Sequence, residues 1–186
     1  MLLDKNTSNV LEAFTSDYKK KVYGSDLAKK LHMNQKTVSN ILSKLEKEHL
    51  LKFTVEGKNK YYSMNSFNPH IKEVIKLIEI SRKICFLKKY KHIKDLFEKI
   101  EERSKGVVVI FGSYAKGTPT KSSDIDIFLI GACSGVEDLE TLYNLKINII
   151  VSKKKKFNKN EHFIKEIVKN HIILKGVEEF VELLWQ

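Results

Sequence analysis

Two stretches decide the fold of the C-terminal half of the chain: VVVIFGS, residues 107–113, and SSDIDIFLI, residues 122–130. Their β-branched and apolar side chains predict two buried strands. The first strand ends at Gly112 and Ser113. A glycine lets a phosphate approach backbone N–H groups, and a serine hydroxyl adds one more donor. The sequence therefore predicts a phosphate-binding turn at the end of the first strand.

The second strand begins with two carboxylates, Asp124 and Asp126. Because side chains alternate along a strand, residues two apart point to the same face. Two hard oxygen ligands suit Mg²⁺, and burying two like charges without a cation would be costly. An isolated Asp-x-Asp is weak evidence, since a solvated strand end shows it too. Its combination with the Gly-Ser turn is specific and predicts a catalytic metal site.

From about Lys105 to the C-terminus, the chain resembles the minimal nucleotidyltransferases of the DNA polymerase β-like superfamily. The resemblance implies that Gly112 and Ser113 hold the phosphates of an NTP, and that Asp124 and Asp126 are the catalytic Mg²⁺ ligands. It also implies the reaction: an acceptor hydroxyl attacks the α-phosphorus and pyrophosphate is released. Catalysis of this kind depends mainly on positioning and charge neutralisation.

The third predicted strand, residues 145–151, departs from the pattern that this resemblance implies. It offers Asn148 where a third carboxylate is expected. An asparagine carbonyl is a weak candidate ligand for Mg²⁺, and an amide cannot act as a general base. Turnover is therefore an open question at this stage. Nearby acids are poor substitutes because they lie on a predicted loop or helix: Glu137, Asp138 and Glu140.

The tail carries two further signals. The run Lys153–Lys156 could attract a phosphate or nucleic acid, but a solvated turn is the better interpretation. Apolar residues 172–174 predict a short strand between helices that close a small α/β core.

Residues 6–65 have the pattern of three helices followed by a β-hairpin. We expect a first helix over about 6–19, a second with its N-cap at Ser25-Asp26, and a third capped by Asn34. The third helix has one apolar face, formed by Val38, Ile41, Leu42 and Leu45. Its other face and the hairpin tip supply short polar or basic side chains suited to DNA contacts: Gln35, Lys36, Thr37, Ser39, Asn40, Ser43, Lys44, Lys58 and Lys60.

This N-terminal stretch resembles the winged helices of small archaeal and bacterial transcription regulators. The resemblance implies binding to double-stranded DNA, and the combination of both parts resembles archaeal proteins in which a helix-turn-helix domain is fused to a nucleotidyltransferase. Winged helices also serve as protein-interaction or dimerisation modules. Glu46, Glu48 and Glu56 reduce the positive charge near the expected DNA face.

Two amphipathic helices are predicted to connect the halves, starting near Pro69 and broken within Lys88–His92. They could support a homodimer or simply pack on the C-terminal fold, and the sequence does not separate these alternatives.

The expected fold class is α+β. We expect a winged helix over 1–66, a helical connector over 67–104, and a small mixed-sheet nucleotidyltransferase fold over 105–186.

Composition restricts the remaining possibilities. The net charge of +11 comes mostly from residues 1–105, which favours a polyanionic partner unless it reflects only a Lys-rich proteome. No apolar run is long enough to cross a membrane, and no secretory signal is visible, so we expect a cytoplasmic protein. Cys85 and Cys133 are expected to be ordinary buried or partly buried thiols, and the six histidines structural or superficial.

Three functions remain. The first is an NTP-dependent nucleotidyltransferase that the winged helix directs to nucleic acid or regulates. The second, favoured by Asn148, is a transcription regulator whose degenerate transferase domain binds nucleotide or a partner without turnover. The third follows from the resemblance alone, because some minimal nucleotidyltransferases modify a small helical partner protein in toxin–antitoxin pairs.

Overall fold

The computed structural model describes residues 4–185. The chain forms two compact units, Met1–Ile78 and Glu79–Gln186. The observed architecture is α+β, as expected. The three-part division at residues 66 and 104 stays a prediction.

The N-terminal unit has the winged-helix arrangement of three helices and a small antiparallel sheet. Its helices are α1 (Lys5–Glu12), α2 (Gly24–Leu31) and α3 (Gln35–Lys47). Its strands are β1 (Val22–Tyr23), β2 (Leu51–Glu56) and β3 (Asn59–Met64), in the order β1-β3-β2. The predicted apolar face of α3 is confirmed, because Val38, Leu42 and Leu45 are buried and Ile41 is partly buried.

Helix boundaries show where the sequence interpretation was right and wrong. The Asn34 side chain caps α3 by accepting from Lys36 N–H, as predicted. The first helix is shorter than expected because the Thr15 hydroxyl donates to the carbonyl of Glu12, where α1 ends. The expected cap of α2 at Ser25-Asp26 was wrong. Tyr23 pairs with Tyr61 in the sheet, so the chain enters α2 directly at Gly24.

The connector is helical and broken where predicted. Helix α4 (Ile71–Lys89) is 19 residues long and is followed by a short 3₁₀ turn at Lys91–Ile93 and by α5 (Lys94–Arg103). No helix within residues 4–185 is both long enough and apolar enough to span a membrane.

The C-terminal unit contains a four-stranded mixed sheet in the order β6-β5-β4-β7. The β5–β6 pair is parallel, and the β4–β5 and β4–β7 pairs are antiparallel. The strands are β4 (Ser104–Phe111), β5 (Ile125–Cys133), β6 (Ile147–Ser152) and β7 (Ile172–Lys175), and β7 confirms the predicted short strand. The helices are α6 (Gly112–Lys116), α7 (Glu137–Tyr143), α8 (His162–Lys169) and α9 (Val177–Trp185).

Alternation along β4 and β5 creates a core on each side of this sheet. Val108 and Ile110 face a cluster that includes residues of α4, α5, α6 and α7. Val107 and Val109 face the other cluster, which α8 and α9 cover. The strand ends that carry the predicted site are therefore held by apolar packing on both faces.

A buried ionic cluster links α4 to the start of β7. Glu79 and His171 are 1% and 0% exposed. Arg82 donates to the Glu79 carboxylate and to the His171 carbonyl, each at 2.6 Å, and His171 Nε2 lies 3.3 Å from Glu79 Oε1. Burial alone would raise the pKa of Glu79, but its electrostatic interactions and hydrogen bonds with His171 and Arg82 outweigh burial and lower the pKa to about 2.

The cysteine expectation was partly wrong. Cys133 is partly buried, but Cys85 is exposed because it lies just off the buried face of α4 that holds Phe86. The histidine expectation is confirmed. His171 is structural, and the other five are exposed: His32, His49, His70, His92 and His162.

Candidate functional site

The predicted phosphate turn joins β4 to α6 at Gly112. This glycine has φ +69°, in the left-handed region that side chains disfavour. A Cβ at this position would lie 2.1 Å from Asp126 Oδ2, because β4 and β5 pair Phe111 with Asp126. The carboxylate therefore lies directly against the glycine backbone, and the two predicted motifs form one site.

Asp124 and Asp126 converge on the side chain of Asn148. The parallel register of β5 and β6 places Asn148 beside Asp126. Asn148 Nδ2 donates to Asp124 Oδ2 at 3.2 Å and to Asp126 Oδ1 at 3.1 Å. A half-turn of the amide would direct Asn148 Oδ1, an acceptor, to this position instead. The expectation that both acids share a face agrees with this geometry.

This donor set fits a hard divalent cation. Two oxygens from two carboxylates lie within hydrogen-bonding distance of one atom, so they can also approach one cation. Mg²⁺ is bound in proteins by one or two carboxylates together with substrate phosphates and water. Lys146 places a positive charge near the site, with Nζ 3.7 Å from Asp124 Oδ2. Its side chain is 67% exposed, so solvent screening makes this interaction weak.

The start of α6 leaves backbone donors for a phosphate. Within the described part of the chain, no side chain forms a hydrogen-bonded cap on this helix, and Ser113 is half-buried in its first turn. The helix ends at Gly117, which has φ +78° and whose carbonyl accepts from Lys89 Nζ. The following loop is held by Thr120 N–H, which donates to Ser123 Oγ at 2.8 Å. Gly112 thus lies beside the Asp126 carboxylate, and Ser113 follows it in the first turn of α6.

The other acids are engaged elsewhere. Asp138 forms a two-pronged pair with Arg103, and Glu140 accepts from the backbone N–H of Ile147. Glu137 accepts from the backbone N–H of Val136. Within residues 4–185, no group of three or more His, Cys, Asp or Glu side chains is arranged to hold a metal. The site therefore has two carboxylates and the Asn148 amide.

The predicted DNA face of α3 is accessible. Most of its side chains are exposed, including Lys36, Asn40 and Lys44, whereas Thr37 and Ser43 are half-buried. At the wing, Lys58 is exposed.

Lys60, in contrast, already has partners. Its Nζ lies 3.6 Å from the centre of the Phe53 ring and 3.3 Å from Glu46 Oε2. Burial lowers the pKa of Lys60, but its interactions with Tyr62 and Glu46 outweigh this effect, so the net shift is upward. Because Glu46 partly neutralises the charge of Lys60, we expect Lys60 to contribute less to DNA binding than an unpaired lysine would.

The family model for the nucleotidyltransferase domain matches residues 91–183, which is half of the 186 residues. The chain belongs to this family. The matched range contains Gly112, Ser113, Asp124, Asp126 and Asn148.

Relatives of the nucleotidyltransferase domain include a putative protein adenylyltransferase of Methanocaldococcus jannaschii. It is 37% identical over 78 residues, which cover 37% of this chain and 78% of the relative. Among solved structures, the AntR antimony-specific transcriptional repressor has a TM-score of 0.38 at 21% identity, covering 49% of this chain and 74% of its own. A toxin–antitoxin complex with AMP-PNP has a TM-score of 0.34 at 20% identity, covering 50% and 77%. Both TM-scores are too low for these two structures to support a functional assignment.

Sequence reasoning missed two features of the nucleotidyltransferase site. One is the pairing of Lys146 with Asp124, which the strand pattern could have suggested because Lys146 precedes β6 by one residue. The other is that Asn148 donates to both carboxylates rather than only replacing a ligand. In the run Lys153–Lys156, Lys154–Lys156 form a short 3₁₀ turn, and Lys154 pairs with Glu179 at 2.8 Å.

Proposed function

We propose that this chain is a Mg²⁺-dependent nucleotidyltransferase that transfers the nucleotidyl group of an NTP to a hydroxyl acceptor. The observation that carries this proposal is the convergence of Asp124 and Asp126 on Asn148, with the Asp126 carboxylate lying against the backbone of Gly112. Two converging carboxylates, one of them against a glycine turn, are suited to a cation and a phosphate held side by side.

Each residue has a defined task in this proposal. Asp124 and Asp126 hold Mg²⁺, while Gly112 and Ser113 position the phosphates through N–H groups and the serine hydroxyl. Bound Mg²⁺ neutralises charge on the phosphates. The acceptor oxygen bonds to the α-phosphorus, the bond from that phosphorus to the bridging oxygen breaks, and pyrophosphate leaves.

Asn148 limits how this reaction can proceed. An amide cannot take the acceptor proton. The proton therefore passes to one of the two aspartates or to water. Asn148 instead orients the two carboxylates through Nδ2, and its Oδ1 would become a ligand for a bound cation only after a half-turn of the amide. We expect slower transfer than with a third carboxylate.

The choice of nucleotide donor and hydroxyl acceptor is supported by the name of a relative and not by the geometry of the site. A 37% identical relative bears the name of a protein adenylyltransferase. This supports ATP as the donor and a protein hydroxyl as the acceptor. The exposed wing and α3 support binding of duplex DNA by the N-terminal unit, through Gln35, Lys36, Thr37, Ser39, Asn40, Ser43, Lys44, Lys58 and, less strongly, Lys60.

A second candidate is a DNA-binding regulator that binds Mg²⁺ and nucleotide without turnover. The bridging hydrogen bonds of Asn148 favour it, because they partly satisfy the two carboxylates without a metal. The two candidates share one binding site and differ in whether a phosphorus–oxygen bond breaks.

The experiment that separates them is label transfer. The full chain is incubated with Mg²⁺ and each α-labelled NTP, and pyrophosphate release and label on protein or added nucleic acid are measured. We expect transfer by the wild type, its loss in Asp126→Asn, and faster transfer in Asn148→Asp. Activity only in Asn148→Asp would favour the second candidate. No activity in any of the three, with nucleotide binding retained, would overturn the transferase proposal.

A further inference from the structure

The carboxylate site borders an apolar surface on the same face of the sheet. Phe111, Asp126 and Asn148 lie opposite one another on β4, β5 and β6, so their side chains form one row across this face. The next row contains Phe128 of β5 and its partner on the edge strand β6, Ile150. Because residues two apart on a strand are separated by about 7 Å, the apolar row lies close to the expected cation.

Phe163, in the first turn of α8, extends this apolar surface. The centre of its ring lies 6.1 Å from that of Phe111 and 6.3 Å from that of Phe128, and both contacts are edge-to-face. These two phenylalanines flank Asp126, one as its partner on β4 and the other two residues further along β5. Phe163 therefore lies close to Asp126, on the same face of the sheet. We call Phe111, Ile150 and Phe163 the apolar ledge.

The apolar ledge is partly in solvent. Phe163 is 41% exposed and Ile150 is 40% exposed. Helix α8 is held on the sheet by other side chains, including Ile164 and Ile167, which are buried. Single exposed apolar side chains are common, but these two border a pair of carboxylates. An aromatic ring left in this position gains free energy when a flat apolar group covers it.

Other borders of the carboxylate site are polar. Lys146 precedes β6 and pairs with Asp124. Ser122 and Ser123 precede Asp124 in the chain, and their hydroxyl oxygens lie 3.3 and 3.1 Å from Thr120 Oγ1. A ligand with one charged end and one flat apolar end is therefore oriented by its surroundings, with the charged end at the cation and the flat end on the apolar ledge.

We propose that the apolar ledge binds the base of the NTP, with the Phe163 ring as the surface on which the base stacks. This inference rests on the proposed function, because Gly112, Ser113 and the cation must hold the phosphates. The ribose joins the α-phosphate to the base, so a bound NTP places its base close to the site.

Stacking on an aromatic ring tolerates every base, and preferences come mainly from stacking strength. The apolar ledge therefore favours the larger purines over pyrimidines and does not separate adenine from guanine.

The test compares two ligands that share the phosphates and differ in the nucleoside. A non-hydrolysable ATP analogue and inorganic tripolyphosphate, each with Mg²⁺, are titrated into the full chain in a calorimeter. We expect Phe163→Ala to weaken binding of the analogue about ten-fold and to leave binding of tripolyphosphate unchanged. Phe67→Ala is the matched control. Phe67 is a phenylalanine of the N-terminal unit that is 86% exposed, and its replacement should alter neither affinity.

Two further variants separate stacking from packing. Phe163→Trp keeps an aromatic face, whereas Phe163→Leu keeps apolar contact with Phe111 and Phe128 but has no ring. Phe163→Leu should therefore bind the ATP analogue more weakly than Phe163→Trp. Circular dichroism must show the native helix content for every variant, and if Phe163→Ala lacks it, the leucine and tryptophan variants decide the question.

Base preference gives a readout that a packing role would not change. In the wild type, non-hydrolysable ATP and GTP analogues should bind with similar affinity and more tightly than the UTP analogue. Phe163→Ala should reduce the difference between purine and pyrimidine analogues. A difference that stays the same in this variant would contradict stacking on Phe163.

The outcomes distinguish this inference from the proposed function. An equal loss of both ligands in Phe163→Ala would assign Phe163 to packing and overturn the inference. Unchanged binding of the analogue would also overturn it and leave the apolar ledge to the acceptor. Both results would leave the proposed function intact. A wild type that binds neither the analogue nor tripolyphosphate with Mg²⁺ would overturn the proposed function and this inference together.

Discussion

Replacing Glu79 by glutamine removes the negative charge from a buried ionic cluster while nearly keeping its shape. Glu79 is 1% exposed and lies against Arg82 and His171. Without the carboxylate, the Arg82 guanidinium, whose side chain is 13% exposed, loses the negative charge that compensates it. Breaking a buried pair from one side is strongly destabilising, whereas an exposed pair contributes little.

The pKa of Glu79 gives the size of this effect. It falls from the ordinary value of 4.5 to about 2, because attraction to His171 and Arg82 outweighs the cost of burial. At about 1.4 kcal/mol per pKa unit, the charged carboxylate contributes about 3 kcal/mol to folding at neutral pH. We expect Glu79→Gln to lower the free energy of unfolding by about that amount, within the range for broken buried pairs.

The pH dependence has a definite sign. Because the folded pKa lies below the unfolded one, the stabilisation is fully present above pH 4.5. It is lost as the pH falls from 4.5 towards 2. The difference between the wild type and Glu79→Gln should therefore be largest near neutral pH and shrink over this interval.

Urea unfolding followed by fluorescence of Trp185, the single tryptophan, measures the stability of the C-terminal unit. Glu98→Gln is the matched control, because Glu98 pairs with Lys94 at 3.0 Å while 46% exposed. We expect this control to lose about 0.5 kcal/mol or less. If Glu79→Gln lost no more than Glu98→Gln, or if its deficit were independent of pH, the assigned role of the buried cluster would be wrong.

Two further variants test the sites, one with a single and one with a double substitution. Gly112→Ala should reduce Mg²⁺-dependent nucleotide binding at least about ten-fold, since its Cβ would displace the Asp126 carboxylate. Gly57→Ala has a similar positive φ with open space around it and should leave binding unchanged in the same titration; equal effects would contradict the role of the contact. Lys36→Ala with Lys44→Ala should weaken duplex DNA binding and reduce its salt slope by about two. An unchanged slope in filter binding at several salt concentrations would make the winged helix an interaction module.

Local patterns predicted the main elements because their signals come from neighbouring residues. The apolar alternation of β4 and β5 and the apolar face of α3 repeat at the period of the structure they form. The convergence of Asp124 with Asp126 also follows from strand geometry. The clash that requires glycine at 112 does not, because it depends on which strands pair and in what register.

The features that were missed depend on contacts between distant parts of the chain. The short strand β1 is defined only by its pairing with β3, and its position moved the start of α2 to Gly24. The cluster of Glu79, Arg82 and His171 joins residues about 90 positions apart. The orientation of Asn148 depends equally on both aspartates, so its donor role could not be read from β6 alone.

The most direct test of the central claim is calorimetric titration with a non-hydrolysable ATP analogue, with and without Mg²⁺, for the wild type and Asp124→Asn. If Asp124 and Asp126 hold the cation that binds the phosphates, the wild type binds the analogue only with Mg²⁺. The Asp124→Asn chain should then show little binding in either condition. Equal binding by both chains, or binding by the wild type that does not depend on Mg²⁺, would contradict the assignment of this site.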